Sequence, residues 1–427
     1  MTTVLILAIG TRGDIAPFTG LGTRLAQAGY RVAIATQPPF AHLVTDCGLE
    51  YREIPGDPRS YLATDTGQKA LDTGPRAMAS SMKLIKQGTR EVCDGVLTVL
   101  QQGCDLALLT HGTAPMYPIT EALGIPSIGV PLVPIEPTGD FPPPALSRVP
   151  VPGRWGNRTI ARLSAAGTLK LFTPATNEIR QRLGKPSMTG RGMLREMAER
   201  NWPVLCGYSP VLLPRPADWR AGVDVVGYWW PESPGGWQPP ADLVDFLAAG
   251  PPPVFITLGS MATERKAEVG TAFAAALREA GVRGIIQAGW AGMALGADHQ
   301  LFTVDEVPYD WLFPQLSAVV HHAGAGTTGA GLRAGVPAVG VPVWLDQPFW
   351  SGRLVELGVS PAMIPLRRLD ARRLAGAIRA AVEEPGYRGR AQEVAAQVNA
   401  EDGAGQVVAA VQRVLGQQVG NDRPVRS

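Results

Sequence analysis

The sequence predicts an α/β protein with two doubly wound domains, each built on a parallel sheet, that face each other across a cleft. Three observations predict this class. Short apolar runs alternate with segments of helical periodicity. This alternation occurs twice along the 427 residues, and a Pro- and Trp-rich stretch separates the two series. A chain of this length is expected to form two or three domains rather than one.

Val4 to Ile9 form the first apolar run, which stops at Gly10. The next residues carry apolar side chains at helical spacing as far as Gly29, and the apolar run RVAIAT follows. Strands of a parallel sheet are buried on both faces, so we expect them as continuous apolar runs between helices. The same order continues through DLALLTHG at 105–112 and IPSIGVPLV at 125–133, and it predicts the first sheet.

The composition changes between the two series. Residues 135–157 are rich in Pro and Gly and predict a long loop, which either helps to hold a substrate or only covers one edge of the sheet. From Tyr208 to Pro253 the chain becomes Pro- and Trp-rich, as at an interdomain connection. Val254 to Ser260 then resembles the opening, with an apolar strand that ends at a Gly turn. Because ligands bind beyond the carboxyl ends of such strands, we expect a ligand between the domains.

Composition and charge argue against several classes of protein. Apolar residues make up 45% of the chain and charged residues 18%, and 39 Lys and Arg stand against 37 Asp and Glu, so neither disorder nor a nucleic-acid partner is indicated. The four cysteines are scattered without CxxC spacing, which fits a reducing cytosol better than a zinc site or a disulfide framework. The N-terminal apolar run is too short for a signal peptide or a membrane span. We therefore expect a cytoplasmic protein.

The segment VVHHAGAGTTGAGLRAGVPAVGVPVWLDQPFW at 319–350 holds the strongest site signal. A buried strand ends at His321 and His322, and the turn AGAGTT leads into a helix that Gly335 closes. Free amides and the helix dipole at such a helix start favour a bound anion. The alternative is a tight turn whose glycines only permit packing. The pattern does not match GxxxxGK[ST], which weakens the P-loop interpretation.

Asp346 and Gln347 follow the next buried strand, VPAVGVPVW. A carboxylate accepts hydrogen bonds from sugar hydroxyls, and an amide both donates and accepts them, so this pair suits a sugar. For an isolated Asp-Gln pair, a helix cap would be the better explanation of the aspartate. Because the pair lies one strand away from a predicted phosphate turn, we favour the sugar-binding interpretation.

A longer signature surrounds this segment and reads VPYDWLFPQLSAVVHHAGAGTTGAGLRAGVPAVGVPVWLDQPFWSGRLVELGV. It resembles the donor-binding signature of family-1 glycosyltransferases of the GT-B fold. Within that family it is similar to the bacterial enzymes that decorate antibiotics and other natural products, and to the sterol glucosyltransferases. The opening VLILAIGTRGDIAPFTGLGTRLAQAGYRVAIAT is similar to the family's first strand, loop and helix. The resemblance covers both halves of the chain but not residues 60–200.

The resemblance implies roles for the residues of the donor site. His322 corresponds to the histidine that contacts the diphosphate, and Ala323 stands where many relatives have Gly. Asp346 and Gln347 correspond to the pair that holds the sugar hydroxyls. The other residues implied to contact the nucleotide or its phosphates are Gly259, Ser260, Val307, Trp311, Gly324, Gly326, Thr327 and Thr328.

Asp14 is the candidate catalytic base, and His111 is a second catalytic candidate. Asp14 lies in the loop GTRGDIAP, where the resemblance implies an acid or a histidine that removes the acceptor's proton. A positioned base contributes about 10²–10⁴-fold to a rate. Asp14 would also serve as an N-cap of the following helix, whose first turn would hold Pro17. His111 ends the strand DLALLTH and is a candidate for acceptor contact, for orienting Asp14, or for a structural role.

The resemblance implies an inverting, metal-independent glycosyltransferase that needs no cofactor beyond its NDP-sugar co-substrate. We expect the donor to be UDP-glucose or a dTDP-deoxysugar, and the acceptor to be a small apolar natural product with a hydroxyl. The alternatives are a sterol or lipid glucosyltransferase, a nucleotide-sugar epimerase on the same fold, an inactive sugar-nucleotide-binding protein and an NAD(P)-dependent oxidoreductase. No nucleic acid and no stable membrane insertion are expected, and the oligomeric state is left open.

The predicted domain boundaries follow from these assignments. An acceptor-binding Rossmann-like domain is expected at 1–215, a linker at 216–240, and a nucleotide-sugar-binding Rossmann-like domain at 241–405. The last segment, 406–427, is expected to hold a helix that is a candidate to cross back to the first domain, followed by a frayed tail.

Overall fold

The computed structural model of the chain describes residues 1–56, 75–232, 236–259, 266–288 and 300–421. Its strands form two sheets, one in each half of the chain, and the strand pairs of both sheets are parallel. Helices follow the strands along the chain in both halves. The predicted class, α/β with two doubly wound parallel-sheet domains, is confirmed.

The first sheet lies in the N-terminal half. Its strands are β1 (Thr3–Leu7), β2 (Arg31–Thr36), β3 (Glu50–Glu53), β4 (Leu106–Leu109), β5 (Ser127–Gly129), β6 (Val204–Cys206) and β7 (Val223–Val225). Their order across the sheet is β3-β2-β1-β4-β5-β6-β7. In the centre, Leu5 pairs with Ala33 on one side and Ala107 on the other, and all three are fully buried. This burial on both faces explains the unbroken apolar runs in the sequence.

The second sheet lies in the C-terminal half. Its strands are β8 (Val254–Thr257), β9 (Gly284–Gln287), β10 (Leu301–Val304), β11 (Ala318–His321) and β12 (Ala338–Gly340). Their order is β10-β9-β8-β11-β12. In both sheets the chain first builds outward on one side and then crosses to the other side of its first strand. The resulting switch points lie between β1 and β4 and between β8 and β11, where the crevices of such folds bind ligands.

Helices cover both sheets and connect the strands. In chain order they are α1 (Arg12–Gln27), α2 (Ala41–Thr45), α3 (Pro75–Gln101), α4 (Tyr117–Ala122), α5 (Gly153–Arg182), α6 (Gly190–Glu199), α7 (Ala241–Ala248), α8 (Lys266–Ala280), α9 (Tyr309–Leu312), α10 (Ala325–Ala334), α11 (Gln347–Glu356), α12 (Ala371–Glu383), α13 (Pro385–Asn399) and α14 (Gly403–Asn421). α1 shows how they attach, because Phe18, Leu21 and Leu25 are fully buried in one cluster with residues of β1 and β2.

The segment predicted as a linker, 216–240, contributes a strand to the first sheet. β7 (Val223–Val225) lies inside it and pairs with β6. Pro- and Trp-rich neighbours mask this three-residue strand in the sequence. The chain then passes Trp229, which is buried and packs on Phe18 of α1 with ring centroids 5.9 Å apart. The connection between the sheets is therefore fastened to the first domain.

The last helix, α14, packs on the first domain. Val407, Ala410 and Val411 are buried in the cluster that also holds residues of β1 and α1. At the start of α14, Gly403 touches the outgoing connection, since a Cβ at this position would lie 2.5 Å from the carbonyl oxygen of Gly227. The two passages of the chain between the domains therefore lie side by side.

The domains also meet beside the switch points. Arg12 of α1 forms an ion pair with Glu306 of the C-terminal half at 3.1 Å. Phe141 lies in the Pro- and Gly-rich segment predicted as a loop at 135–157, whose residues from Gly153 onward belong to α5 instead. Its ring packs on Phe349 of α11 with centroids 5.4 Å apart. The long loop of the first domain therefore lies against the helix that begins at the predicted sugar-binding pair.

Candidate active site

The predicted site residues gather at the two switch points. Asp14 follows β1 and His111 follows β4, so both lie at the carboxyl ends of strands that flank the switch in the first sheet. Gly259 follows β8 and His322 follows β11 at the switch in the second sheet. These four residues therefore lie where an α/β fold of this kind binds ligands. Ser260 lies outside the described residues.

The turn after β11 is shorter than its sequence predicts. We expected a polar turn through Thr328, but Gly324 is the N-cap and α10 begins at Ala325. Gly326, Thr327 and Thr328 therefore lie in or next to the first helical turn. Gly has a low helix propensity, and burial of the helix against the domain overrides it here. The hydroxyl oxygen of Thr328 is buried without a hydrogen-bond partner in the described chain.

This start of α10 has the properties of an anion site. The first amides of a helix have no partner within the helix, and the helix dipole favours negative charge near them. Gly326 is exposed, and a Cβ there would meet nothing within 4 Å, so a ligand can approach its backbone closely. Gly335 ends the helix in the left-handed conformation with φ +67°, as predicted from its position.

The imidazole of His322 occupies a slot between two glycines. A Cβ on Gly259 would lie 2.6 Å from its Cε1, and a Cβ on Gly324 would lie 2.5 Å from its Nε2. Burial lowers the pKa of His322 to about 4, so the ring is neutral at neutral pH and still carries one N–H donor. Its Nδ1 has no hydrogen-bond partner among the described residues. A neutral donor beside the start of a helix suits a phosphate oxygen.

Backbone strain is concentrated around this site. The described chain has three non-glycine residues with positive φ, namely Asn201, Ala323 at +63° and Leu345 at +49°. Ala323 immediately follows His322, and Leu345 immediately precedes Asp346. Such conformations cost about 1–3 kcal/mol and persist only where the surroundings impose them. Two of the three flank predicted donor contacts. Strained residues of this kind cluster at functional sites, so their position agrees with a binding site here.

The predicted sugar-binding pair lies at the start of α11. Asp346 occupies the N-cap position, yet its side chain makes no capping hydrogen bond, and its Oδ2 accepts the indole N–H of Trp350 at 2.8 Å. Burial raises the pKa of Asp346, and the nearby charge of Asp14 raises it further. The Oε1 of Gln347 accepts the backbone N–H groups of Val343 and Trp344 at 2.9 and 3.2 Å. Gln347 therefore shapes the loop that presents Asp346.

Asp14 is the third residue of α1 and not its N-cap. The helix begins at Arg12 after the N-cap Thr11, and Pro17 lies inside the helix rather than in its first turn. The Oδ2 of Asp14 accepts from the backbone N–H of Thr11 at 2.7 Å and from its hydroxyl at 2.9 Å. The carboxylate thus reaches back to the start of the helix, as in a capping box. This arrangement fixes one carboxylate oxygen and turns the other toward His111.

His111 and Asp14 form a pair across the first switch point. The Nε2 of His111 lies 3.3 Å from the Oδ1 of Asp14, and the two side chains are 27% and 28% exposed. Burial opposes charge on both groups, but their mutual hydrogen bond and attraction lower the pKa of Asp14 and raise the pKa of His111. The charge of Asp346 also raises the pKa of His111. The predicted sugar-binding residue of one domain is therefore near enough to the candidate base pair of the other domain to influence its ionisation.

Val307 and Trp311, which the resemblance implies as nucleotide contacts, follow β10. Val307 is buried in a hydrophobic cluster, whereas Trp311 of α9 is partly exposed and packs on Trp237 with ring centroids 5.3 Å apart. The indole ring of Trp311 is therefore accessible to a ligand, whereas the side chain of Val307 is buried.

A polar network that sequence reasoning missed lies beneath Gly259. The hydroxyls of Thr257 and Tyr309 donate to the Oε1 of Gln287 at 2.8 and 3.0 Å, and the Thr257 hydroxyl accepts the N–H of Gly259 at 2.8 Å. Thr257 and Gln287 end β8 and β9, so their position at the carboxyl ends of strands was the available signal. The network fixes the backbone of the glycine that touches His322.

The described residues hold neither a cluster of metal-ligating side chains nor a membrane-spanning helix. No three side chains of His, Cys, Asp or Glu in that part of the chain lie close enough together to share a metal ion. Within the same residues, no helix combines the length and the apolar character needed to cross a bilayer.

Two family models match the chain, one in each half. The N-terminal domain of glycosyltransferase family 28 matches residues 4–126. The C-terminal domain described as erythromycin biosynthesis protein CIII-like matches residues 294–414. The first match runs from β1 through α4 and ends just before β5, and it includes Asp14 and His111. The second runs from before β10 into α14 and includes His322 and Asp346.

Curated relatives match nearly the whole chain. An O-mycaminosyltylonolide 6-deoxyallosyltransferase of Streptomyces fradiae is 35% identical over 410 residues, which cover 94% of each protein. A sterol 3-beta-glucosyltransferase of Arabidopsis thaliana is 33% identical over 432 residues, which cover 96% of this chain and 68% of the plant enzyme. These relatives are transferases and give no support to the epimerase alternative.

Solved structures share the fold at low sequence identity. The glycosyltransferase SnogD of Streptomyces nogalater superposes with a TM-score of 0.68 at 20% identity, covering 97% of this chain and 99% of that one. The glycosyltransferase VinC, solved in complex with dTDP, gives a TM-score of 0.65 at 20% identity and covers 97% of this chain and 100% of that one. With the curated relatives, these likenesses show that the chain is a GT-B glycosyltransferase and belongs to the family of the macrolide glycosyltransferases and sterol glucosyltransferases.

Proposed function

We propose that this glycosyltransferase moves a sugar from an NDP-sugar to the hydroxyl of an apolar natural product, with inversion and without a metal ion. One observation carries the proposal. Asp14 and His111 form a 3.3 Å pair at the first switch point, the charge of Asp346 in the second domain raises the pKa of His111, and the charge of Asp14 raises the pKa of Asp346. A candidate proton acceptor and a candidate sugar-binding carboxylate therefore face each other, and the neutral His322 stands beside the start of α10 in the same domain as Asp346.

The donor is assigned to the second domain. Its diphosphate would lie against the first amides of α10 and the N–H of His322, and its sugar hydroxyls would reach Asp346. Preorganised donors and a helix dipole stabilise a departing diphosphate in a water-poor site, which is the task a metal ion would otherwise perform. The dTDP bound to VinC supports a thymidine nucleotide, and the glucosyl transfer named for the sterol relatives supports glucose as the sugar, as in UDP-glucose. Both donors stay in the proposal.

The reaction uses Asp14 as the general base. The acceptor hydroxyl gives its proton to Asp14, and its oxygen forms a bond to the anomeric carbon. The bond from that carbon to the β-phosphate oxygen breaks, and the nucleoside diphosphate leaves with the bonding electrons. Because attack comes from the face opposite the leaving group, an α-linked donor yields a β-linked product. His111 orients Asp14 through the 3.3 Å contact and balances its charge before the proton arrives.

The acceptor is assigned to the first domain and the loop 135–157. The contact of Phe141 with Phe349 brings that loop to the start of α11, so apolar groups border the site. We favour a natural-product acceptor, because the S. fradiae relative, named for a mycaminosyltylonolide acceptor, matches 94% of its own length, against 68% for the plant sterol enzyme. A sterol is the second candidate.

A matrix of donors and acceptors tests the proposal. Purified protein is incubated with UDP-glucose or dTDP-deoxysugars and with macrolide aglycones or sterols, and products are identified by mass spectrometry. NMR coupling constants report the anomeric configuration, and one series contains EDTA. We expect an α-linked donor to give a β-linked product, and we expect EDTA to leave the amount of product unchanged. An α-linked product would overturn inversion, and loss of activity in EDTA would overturn metal independence.

A further inference from the structure

His321 is a buried histidine for which the donor site has no assigned role. Its side chain is 1% exposed at the end of β11, one residue before His322. Its Nδ1 accepts the backbone N–H of Ala323 at 3.1 Å. Its Nε2 is buried and has no hydrogen-bond partner in the described part of the chain. An unsatisfied buried polar group costs about 1–3 kcal/mol, so packing alone would be served better by an apolar residue.

The protonation state of His321 follows from this hydrogen bond. A ring nitrogen that accepts an N–H carries no proton, so the proton of the neutral ring is on Nε2. Burial lowers the pKa of His321 to about 3, and the neighbouring imidazole of His322 contributes in the same direction. The ring therefore remains neutral around pH 7, and Nδ1 remains an acceptor.

Ala323 is the residue that this acceptor holds. Its φ of +63° is in the left-handed region, and its side chain is fully buried. That conformation costs a non-glycine residue about 1–2 kcal/mol, and a hydrogen bond from a neighbouring side chain can offset a cost of this size. The direction of the chain at Ala323 decides where Gly324 lies, and Gly324 both caps α10 and forms one wall of the His322 slot.

We propose that His321 is a positioning residue for the donor diphosphate. Its Nδ1 holds Ala323 in the left-handed conformation, and that conformation seats the ring of His322 between Gly259 and Gly324 and aims the first amides of α10. The inference rests on the proposed function, because it assumes that His322 and α10 receive the diphosphate. It adds that their geometry depends on a side chain that does not touch the donor.

A double-mutant cycle between positions 321 and 323 tests this role. His321→Leu removes the acceptor at similar volume, and Ala323→Gly removes the need for it, because glycine adopts positive φ without a steric penalty. Binding of dTDP and UDP is measured by calorimetry. We expect His321→Leu alone to weaken binding about tenfold, which is ~1.4 kcal/mol. When Ala323→Gly is also present, His321→Leu should cost no more than about threefold, or ~0.7 kcal/mol.

A conservative variant sharpens the result. In His321→Asn the side-chain oxygen can accept near the position of Nδ1, so nucleotide affinity should stay close to that of the parent. The proposal is overturned if His321→Leu binds as the parent does, or if its loss is the same with and without Ala323→Gly. If His321→Leu does not fold, His321→Gln replaces it in the cycle, since its amide oxygen lies one bond further from the backbone.

His322→Ala separates failure of this inference from failure of the proposed function. If His322→Ala leaves dTDP and UDP binding unchanged, the donor site itself is misassigned. If it weakens binding while positions 321 and 323 show no coupling, only the positioning role is wrong. Melting temperatures are recorded for every variant, because a merely structural role would lower them without any rescue of nucleotide binding by Ala323→Gly.

Discussion

His111 and His322 both follow a parallel strand at a switch point, but their surroundings shift their pKa values in opposite directions. His111 has Asp14 at 3.3 Å, and that partner outweighs burial and raises its pKa. At His322 burial lowers the pKa to about 4, and no charged group of the described residues adds to this shift. The proposed acceptor side is thus built around an ionisable Asp-His pair, and the proposed donor side around a neutral imidazole and backbone amides.

This difference teaches what each side has to do. A proton acceptor must be ionised before the reaction, and the hydrogen bonds from Thr11 and His111 keep Asp14 ionised. A diphosphate is already an anion when it binds. Directed N–H groups and the dipole at the start of α10 favour that negative charge without a charged side chain. In the proposed site, Gly259 and Gly324 on either side of the His322 ring, together with the strained Ala323, orient these N–H groups. Loss of the Asp14 carboxylate should therefore lower the rate of sugar transfer. Misorientation of the N–H groups near His322 should instead weaken nucleotide binding.

Asp14→Asn should produce the largest effect. The amide keeps the size of the carboxylate but cannot take the acceptor's proton, so we expect transfer to fall by about 10²–10⁴-fold. Binding of dTDP and UDP should remain within about twofold of the parent, because the nucleotide contacts assigned in the second domain stay intact. Initial rates by mass spectrometry and nucleotide affinity by calorimetry measure the two quantities. Transfer at the parental rate would show that another group is the base.

Gly324→Ala should weaken nucleotide binding on the proposed donor side, around His322. The new methyl would lie 2.5 Å from the Nε2 of His322, so the ring must leave its slot. We expect nucleotide affinity to fall about tenfold, the value of one lost hydrogen bond to a charged group. The matched control is Gly331→Ala in the same helix, where a Cβ meets nothing within 4 Å. Equal affinities of the two variants would mean that the slot has no role in binding.

Most of the fold could be predicted because its causes are local. Apolar runs such as Val4 to Ile9 predict buried parallel strands, and Gly335 predicts the end of α10. Two boundaries were missed where local signals conflict with tertiary packing. β7 has only three residues between Pro- and Trp-rich neighbours, and α10 starts within a Gly-rich run whose helix propensity is low. Burial decides both cases, and burial is not a property of a short stretch of sequence.

The candidate site could be predicted as a set of residues but not as an arrangement. The resemblance pointed to Asp14, His322 and Asp346, because their motifs are compact. The contact of His111 with Asp14 depends on the pairing of β1 with β4, and the influence of both residues on the pKa of Asp346 depends on how the two domains meet. No periodicity or motif encodes those distances, since they arise from long-range packing.

Substitutions of His111 should change the transfer rate least at high pH. At low pH they should shift the pH dependence of kcat/KM in a diagnostic way. The hydrogen bond and charge of His111 lower the pKa of Asp14, so His111→Leu should raise that pKa. Because Asp14 acts in its deprotonated form, the acid limb of kcat/KM against pH should move to higher pH. His111→Gln can keep a hydrogen-bond donor without the charge, and its acid limb should lie between those of the parent and His111→Leu.

The pH profile also separates a positioning histidine from a catalytic one. With Asp14 as the base, both His111 variants should retain transfer within about tenfold of the parent on the alkaline plateau, since the proton acceptor is still present. If the imidazole itself takes the acceptor's proton, both variants should instead lose transfer at every pH, and Asp14→Asn should retain part of it. An acid limb that stays in place in His111→Leu would show that the 3.3 Å contact does not control the ionisation of Asp14.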